Sequence, residues 1–171
     1  NANGLITQMT AIINTGKLNK TTQLLDWSIE TITPSFVQQN NGSIYATHSV
    51  NQAWSEDGKT GYVFFIGIDS SSAYKNFQPI VYKTKNAGET WNKMPDFNFG
   101  NLPNLKKFLR GTNADTTLKK PFFTEETIQG MVDYTGNLHL FSLIMDGSSS
   151  HPDSLAYYYG AMLLFDVYTT N

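Results

Sequence analysis

Four of the aspartates in the second half of the chain are available for chemistry, because glycoside hydrolysis needs two carboxylates a few ångströms apart. They are Asp133, Asp146, Asp153 and Asp166. One carboxyl would act as the acid and the other as base or nucleophile. Nothing in their spacing brings two of them together, and aspartates in polar stretches commonly cap turns. We therefore interpret all four as turn-capping or solvent-exposed residues.

The three histidines give no stronger signal. His48, His139 and His151 lack a metal-ligand spacing such as His-x-x-x-His. His139 alternates with Leu138 and Leu140, which indicates a packed or hydrogen-bonded histidine on a strand. The sequence also has no Gly-x-Ser-x-Gly elbow and no phosphate-binding glycine loop. We predict no catalytic residue, no metal and no cofactor.

Composition excludes several classes of partner. The chain has 171 residues and a net charge of -2, with no basic cluster large enough to indicate nucleic acid. Its longest apolar run, Tyr62–Ile68, is too short to span a bilayer, so we expect a chain that is not itself transmembrane. Aromatic residues make up 13% of the chain and charged residues only 15%, which favours strands over surface helices.

Residues 45–96 have the pattern of one propeller blade. A first hairpin pairs Ser49–Ser55 with Gly61–Ile68, and a second pairs Gln78–Thr84 with Thr90–Met94. Four antiparallel strands in about fifty residues are typical of a blade. Both faces of Gly61–Ile68 are apolar, which predicts cover on each side, as in sheets stacked around an axis.

The rest of the chain repeats this pattern in part. Residues 127–171 contain a second hairpin, with the apolar strand Leu138–Ile144 and a later strand at Ala161–Tyr168, and form a blade that looks incomplete. Residues 97–126 are an insertion, in which Pro103 and the following apolar spacing predict a short helix over 104–110. Residues 1–44 hold an uncertain partial blade.

The predicted fold class follows from these units. We expect an all-β chain with blades of four antiparallel strands, of which about three are visible. Such a chain is an incomplete propeller or a fragment of one. Two candidate strands of the first blade are Leu5–Ile13 and Leu24–Thr31.

One turn matches a known motif at every defined position. The segment Thr84–Trp91 fits Ser/Thr-x-Asp/Asn-x-Gly-x-Thr-Trp, the Asp-box. Its asparagine accepts backbone hydrogen bonds inside the turn, its glycine takes a left-handed conformation and its tryptophan packs beneath the hairpin. We predict structural roles for these residues, which are Thr84, Asn86, Gly88, Thr90 and Trp91.

With this motif, the chain resembles sialidase-like Asp-box (BNR-repeat) β-propellers. It is more closely similar to exported propeller proteins of Bacteroidetes that are associated with type IX secretion. The segments that carry the resemblance include Ala53–Gly58, Gly61–Gly67 and Gln78–Thr84. It implies a secreted, cell-surface or periplasmic protein of a Gram-negative bacterium. Fold likeness does not by itself assign a function.

The resemblance also allows a test of the enzyme hypothesis. A sialidase places three arginines around the substrate carboxylate, since lysine is a poor replacement for the guanidinium fork. This chain has one arginine, Arg110, so the triad cannot be built within it.

A polar and aromatic loop over 146–160 is the candidate binding region. His151 and Asp153 precede Tyr157, Tyr158 and Tyr159, and such clusters suit sugar stacking or protein contact. The alternative is that the tyrosines alternate into the core between blades. Two short patterns resemble O-glycosylation sites of Bacteroidetes exported proteins, at Ser154 and Thr116.

We therefore expect a non-catalytic exported propeller module that binds a protein partner or a glycan, within a cell-surface or secretion-associated assembly in the outer membrane. The alternative is part of a glycan-processing, sialidase-like enzyme whose catalytic residues lie outside this chain. A third hypothesis is a subunit whose incomplete blades are completed by a neighbour through strand addition.

Overall fold

The computed structural model describes residues 4–109, 120–124, 128–147 and 157–170, with the backbone alone described over 157–161. Within these ranges the chain consists of antiparallel β-sheets and one short helix, so the predicted all-β class is confirmed. The strands form one two-stranded sheet and two four-stranded sheets.

The first sheet is a hairpin of β1 (Ala11–Leu18) and β2 (Leu25–Ile32), which we call the N-terminal hairpin. Its register runs without a bulge from Ala11 opposite Ile32 to Leu18 opposite Leu25. The second strand lies where the sequence predicts it. The first begins at Ala11 rather than Leu5, because pairing with β2 sets its register and that pairing is not visible in the strand's own sequence.

The second sheet, called the central sheet, contains four strands in the order of the chain. They are β3 (Ala46–Trp54), β4 (Gly61–Gly67), β5 (Gln78–Thr84) and β6 (Asn92–Lys93). Each strand pairs antiparallel with the next, which is the connectivity of a propeller blade. These are the two hairpins predicted for residues 45–96.

A 3₁₀ turn at Phe99–Asn101 and the helix α1 (Pro103–Phe108) follow, and α1 lies within two residues of its predicted bounds. The third sheet, called the C-terminal sheet, is formed by β7 (Lys120–Phe123), β8 (Gln129–Val132), β9 (Leu138–Gly147) and β10 (Tyr157–Tyr168). Both β7 and β8 pair with β9, opposite β10. The predicted insertion therefore contributes a strand, β7, to the sheet.

Apolar cores lie on both faces of the central sheet. Every residue of β4 is buried. On one face Tyr62, Phe64 and Ile66 pack with the C-terminal sheet and α1. On the other face Val63 and Phe65 pack with residues from the base of the N-terminal hairpin and the segment after it. The central sheet is thus covered by the C-terminal sheet and α1 on one face and by the base of the hairpin and the segment after it on the other. The predicted cover on both faces of this strand is present.

Candidate functional site

The turn between β5 and β6 holds the predicted Asp-box residues, and its side chains bond within the turn. The Thr84 hydroxyl donates to Asn86 Oδ1 over 2.8 Å and accepts from the Gly88 N–H over 3.1 Å. Asn86 Oδ1 also accepts from the Thr90 N–H over 3.0 Å. Gly88 has a φ of +87°, which favours glycine. These hydrogen bonds hold the turn together.

Contacts outside the turn attach it to two neighbouring segments. Trp91 packs edge to face against Trp54, with ring centroids 5.6 Å apart. The Ala87 N–H donates to the Lys59 carbonyl oxygen over 2.9 Å. Glu89 and Lys17 of the N-terminal hairpin form an ion pair of 2.7 Å. The turn thus joins the hairpin to one end of the central sheet.

The predicted binding loop lies mostly outside the described residues. This applies to His151, Asp153 and Ser154, and also to Thr116. The backbone of Tyr157–Tyr159 belongs to β10. The loop is therefore shorter than predicted, because β9 extends to Gly147 and β10 begins at Tyr157.

Two of the four aspartates converge on His139 of β9. His139 Nδ1 lies 3.0 Å from Asp166 Oδ2 on β10, and His139 Nε2 lies 3.5 Å from Asp133 Oδ2 in the β8–β9 turn. The imidazole stacks with Phe141 and Tyr168 at centroid distances of 6.3 and 5.2 Å. His139 is therefore both packed and hydrogen-bonded.

The surroundings of His139 favour its charged form. The hydrogen bond with Asp166 is the largest cause, and it raises the pKa of the imidazole. For Asp133, desolvation works in the opposite direction, but hydrogen bonds from Asn137 and Thr135 outweigh it and hold the pKa of the carboxyl below its usual range. The Asp166 carboxylate faces Nδ1 of the imidazole, and the Asp133 carboxylate faces Nε2 on the other side of the ring. Both are therefore engaged with His139 and cannot chelate one ion together.

Asp146 contradicts the interpretation of the aspartates as caps or exposed residues. It is fully buried on β9, opposite Pro121 of β7. Asp146 is buried because β9 continues beyond its predicted end and β7 pairs with this extension.

Asp133 does cap its turn, since its Oδ1 accepts from the N–H groups of Thr135 and Asn137. Across the part of the chain that the structure describes, no set of three or more His, Asp or Glu side chains could hold a metal ion.

A cleft of about 620 Å³ opens between the central and C-terminal sheets. The sheets approach closely where β8 meets β3, and they separate between β5–β6 and β10. The walls are largely apolar, and the 3₁₀ turn and α1 contribute to them. The apolar lining residues include Val81, Met94, Phe97, Phe99, Leu102, Leu138, Leu140, Phe165 and Val167.

The charged groups of the cleft are mostly acidic. Asp69, Asp96 and Asp166 line it, and Lys93 is its one lysine. Lys93 forms an ion pair with Asp69 and lies 3.6 Å from Asp96. Burial alone would raise the pKa of Asp69, but the hydrogen bonds from Lys93 and Ser71 together outweigh it and lower that pKa. An excess of carboxylates disfavours an anionic ligand such as an acidic sugar.

One face of the N-terminal hairpin is apolar and open to solvent. Because paired residues in an antiparallel register share a face, residues 12, 14, 16 and 18 lie beside residues 31, 29, 27 and 25. No charged residue is among these eight. The exposed fractions are 67% for Ile12, 56% for Leu18, 49% for Leu25, 66% for Trp27 and 66% for Ile29. We call this surface the hairpin face.

The C-terminal sheet also has an open face, on the side away from the central sheet. The inner face of β9 is buried, whereas the opposite face carries His139, Phe141 and Leu143. Exposed apolar residues from β8 and β10 share this outer face, and their exposed fractions are 52% for Met131, 66% for Leu164 and 60% for Tyr168. We call this surface the sheet face.

The sequence analysis did not identify either surface or the contacts of His139. The alternation of apolar residues in β1 and β2 was a usable signal for the hairpin face, although it does not show which faces remain uncovered. No local signal links His139 to Asp166, because the two residues are 27 positions apart.

Comparison with family models, curated proteins and solved structures found no match to the chain. The resemblance to sialidase-like propellers therefore rests on the sequence segments alone. Among the described residues, no helix has the length and apolar character needed to cross a bilayer. Function is accordingly argued from the surfaces and contacts of this chain.

Proposed function

We propose that this chain is a non-catalytic module of an exported assembly and that it acts by binding another protein. The observation that carries the proposal is the hairpin face, with its five exposed apolar side chains and no charge. Burying this apolar surface against a partner would contribute roughly 25 cal/mol of favourable free energy per Å². Contiguous apolar patches on soluble proteins commonly mark contact sites.

The chemistry of the hairpin face favours a protein over a glycan. Its polar side chains are Asn14 and Thr31, and the rest of the face is aliphatic apart from Trp27. A sugar site needs several hydrogen-bonding groups around its aromatic platform, because each buried hydroxyl must find a partner. The hairpin face instead resembles the apolar centre of a protein–protein interface, where tryptophan is enriched.

The exported location belongs to the same proposal. It is supported by the resemblance of the central-sheet segments to exported propeller proteins, and an outer-membrane or secretion complex is the proposed setting. Protease digestion of intact cells tests it, with a cytoplasmic protein as the internal control. Degradation of the chain without lysis is the expected result. Full protection that ends only on lysis of the inner membrane would contradict export.

Site-specific photo-cross-linking in the native host tests the binding function. A photoreactive residue at Ile29 lies on the hairpin face, and one at the adjacent Ser28 lies on the opposite face of the same strand. We expect a defined cross-linked protein from position 29 and little from position 28. Equal cross-linking at both positions, or none at either, would contradict the proposal.

A further inference from the structure

We propose that the outer edge of β10 binds an extended segment of a partner protein, in which lysine or arginine alternates with apolar residues, and adds it to the C-terminal sheet as a further strand. Strand addition at a sheet edge is a common way of recognising a peptide. The site is the cleft between the two four-stranded sheets, and none of its lining residues belongs to the N-terminal hairpin. This inference therefore goes beyond the proposed function and does not depend on it.

The side of β10 away from β9, which we call the β10 edge, has no strand partner among the described residues. Both β7 and β8 pair with β9 on its other side. The cleft lies directly beside the β10 edge, since residues 165–170 all line it without a gap. Successive side chains of a strand point to opposite faces, so an unbroken run of lining residues means that the cleft follows the edge of the strand.

The pairing of β10 with β9 shows which backbone groups point toward the cleft. The Thr169 N–H donates to the Leu138 carbonyl oxygen over 2.9 Å. In an antiparallel pair, residues that bond to the partner strand alternate with residues that do not, and the register has no bulge from residue 162 to residue 168. Leu164, Asp166 and Tyr168 therefore direct their N–H and C=O groups away from β9. Each of them presents one donor and one acceptor to an added strand.

The cleft also has the lining that an added strand requires. Neighbouring strands lie about 4.8 Å apart and packed sheets about 10 Å apart, so a strand on the β10 edge would lie opposite β5 and β6. The wall there is apolar, with Ile80, Val81 and Met94. Phe165 and Val167 of β10 pack against the core between the sheets. Every second side chain of the added strand would therefore be buried on an apolar surface, which favours binding.

The charges around the cleft favour a basic strand. Asp96 lines it with 35% of its side chain exposed. The Asp166 side chain, which also contacts His139, is 38% exposed. A residue opposite Asp166 on the added strand shares the outer face of the sheet with it, so a lysine or arginine there can pair with its carboxylate. Lys93 is the one lysine among the lining residues and is already paired with Asp69, so an acidic segment would meet mainly like charge.

Peptide binding to the full chain, measured by isothermal titration calorimetry, tests the inference. The probe is a short capped peptide in which valine alternates with lysine, and we expect saturable binding of one peptide per chain. Replacing every lysine by glutamate should weaken binding roughly tenfold or more, because attraction becomes repulsion. Methylating all backbone amides of the probe should abolish binding, because they can no longer donate to the β10 edge.

Two variants at Tyr168 separate the backbone from the side chain. Tyr168→Pro removes an N–H that points toward the cleft, at an edge where proline is tolerated, whereas Tyr168→Ala keeps it. Both lose the ring, so Y168P should bind the probe roughly fivefold or more weakly than Y168A. Asp96→Asn should narrow the difference between the lysine and glutamate peptides. Ile29→Asp, on the hairpin face, should leave binding unchanged, and circular dichroism confirms that each variant is folded.

The inference fails if the wild type does not bind the probe, and the proposal for the hairpin face then still stands. Full binding of the methylated peptide, or equal binding by folded Y168P and Y168A, would overturn strand addition. Equal affinity for the lysine and glutamate peptides would overturn the basic partner. Displacement of the probe by n-butylamine, which has the charge but no peptide backbone, would replace the inference with a site for a small cation. Wild-type dimers that the probe dissociates would assign the β10 edge to a second copy instead.

Discussion

The Tyr62 hydroxyl donates a hydrogen bond to the Gly136 carbonyl oxygen over 2.7 Å, between the central and C-terminal sheets. Tyr62 lies on β4 with its side chain fully buried, and Gly136 lies in the β8–β9 turn. The ring fills the core between the sheets while the hydroxyl reaches the neighbouring backbone. One side chain therefore links the packing of the two sheets to the turn that carries Asp133.

Tyr62→Phe should lower the free energy of unfolding by about 1 kcal/mol, because it removes one neutral hydrogen bond and leaves the ring in place. Chemical denaturation of both proteins measures the difference. Tyr134→Phe is the matched control, since Tyr134 is fully exposed and should change nothing. Equal effects of the two variants would show that the Tyr62 hydroxyl does not stabilise the contact between the sheets.

Gly130→Ala should destabilise the protein by about 1–3 kcal/mol through overpacking. An added Cβ would lie 2.7 Å from Phe64 Cε1 and 3.2 Å from Ala53 Cβ. The destabilisation is steric, so it should be smaller when Phe64 is replaced by a smaller residue. In a double-mutant cycle, G130A should cost less in a Phe64→Leu background than in the wild type. Additive effects would contradict this close packing of β8 on the central sheet.

Thr84→Val should destabilise the β5–β6 turn by about 1–3 kcal/mol, because the buried Gly88 N–H loses its acceptor. Thr84→Ser keeps the hydroxyl and should cost clearly less. Thermal or chemical unfolding of the pair separates the hydrogen bond from the methyl packing. A serine variant as unstable as the valine variant would assign the role of Thr84 to packing.

Stability should fall as pH rises through the titration of His139. The hydrogen bond to Asp166 raises the imidazole pKa above its unfolded value of roughly 6.5. The charged ring therefore makes its full contribution to the free energy of unfolding below the unfolded-state pKa. That contribution disappears as pH rises past the higher folded-state pKa. His139→Phe keeps a ring between Phe141 and Tyr168 without a titrating group. The stability difference between wild type and H139F should shrink as pH rises above roughly 6.5; a difference independent of pH would contradict the pairing.

Local sequence signals predicted the elements whose structure depends on residues close to one another in the sequence. The hairpins of the central sheet follow from alternating strands and from Asp57-Gly58 and Asn86–Gly88 at their turns. The helix α1 follows from Pro103 and the apolar spacing after it. Cover on both faces of β4 also followed from the sequence, because its apolar residues point to both sides.

Contacts between distant segments were not predictable in this way. The strand β7 is a short piece of an apparent insertion, and it is a strand only because β9 extends far enough to pair with it. The burial of Asp146 has the same cause. Register and partner choice in a sheet depend on the whole set of available strands, and a single strand's sequence does not contain that information.

By itself, the sequence determined the all-β class, the four strands of the central sheet and the turn chemistry around Thr84 and Asn86, because these depend on side-chain alternation and local backbone preference. Only the tertiary structure decided that Asp133 and Asp166 meet at His139, and that the hairpin face and the sheet face stay open to solvent. Those features depend on how strands far apart in the chain pack against one another, and that packing is a property of the folded molecule.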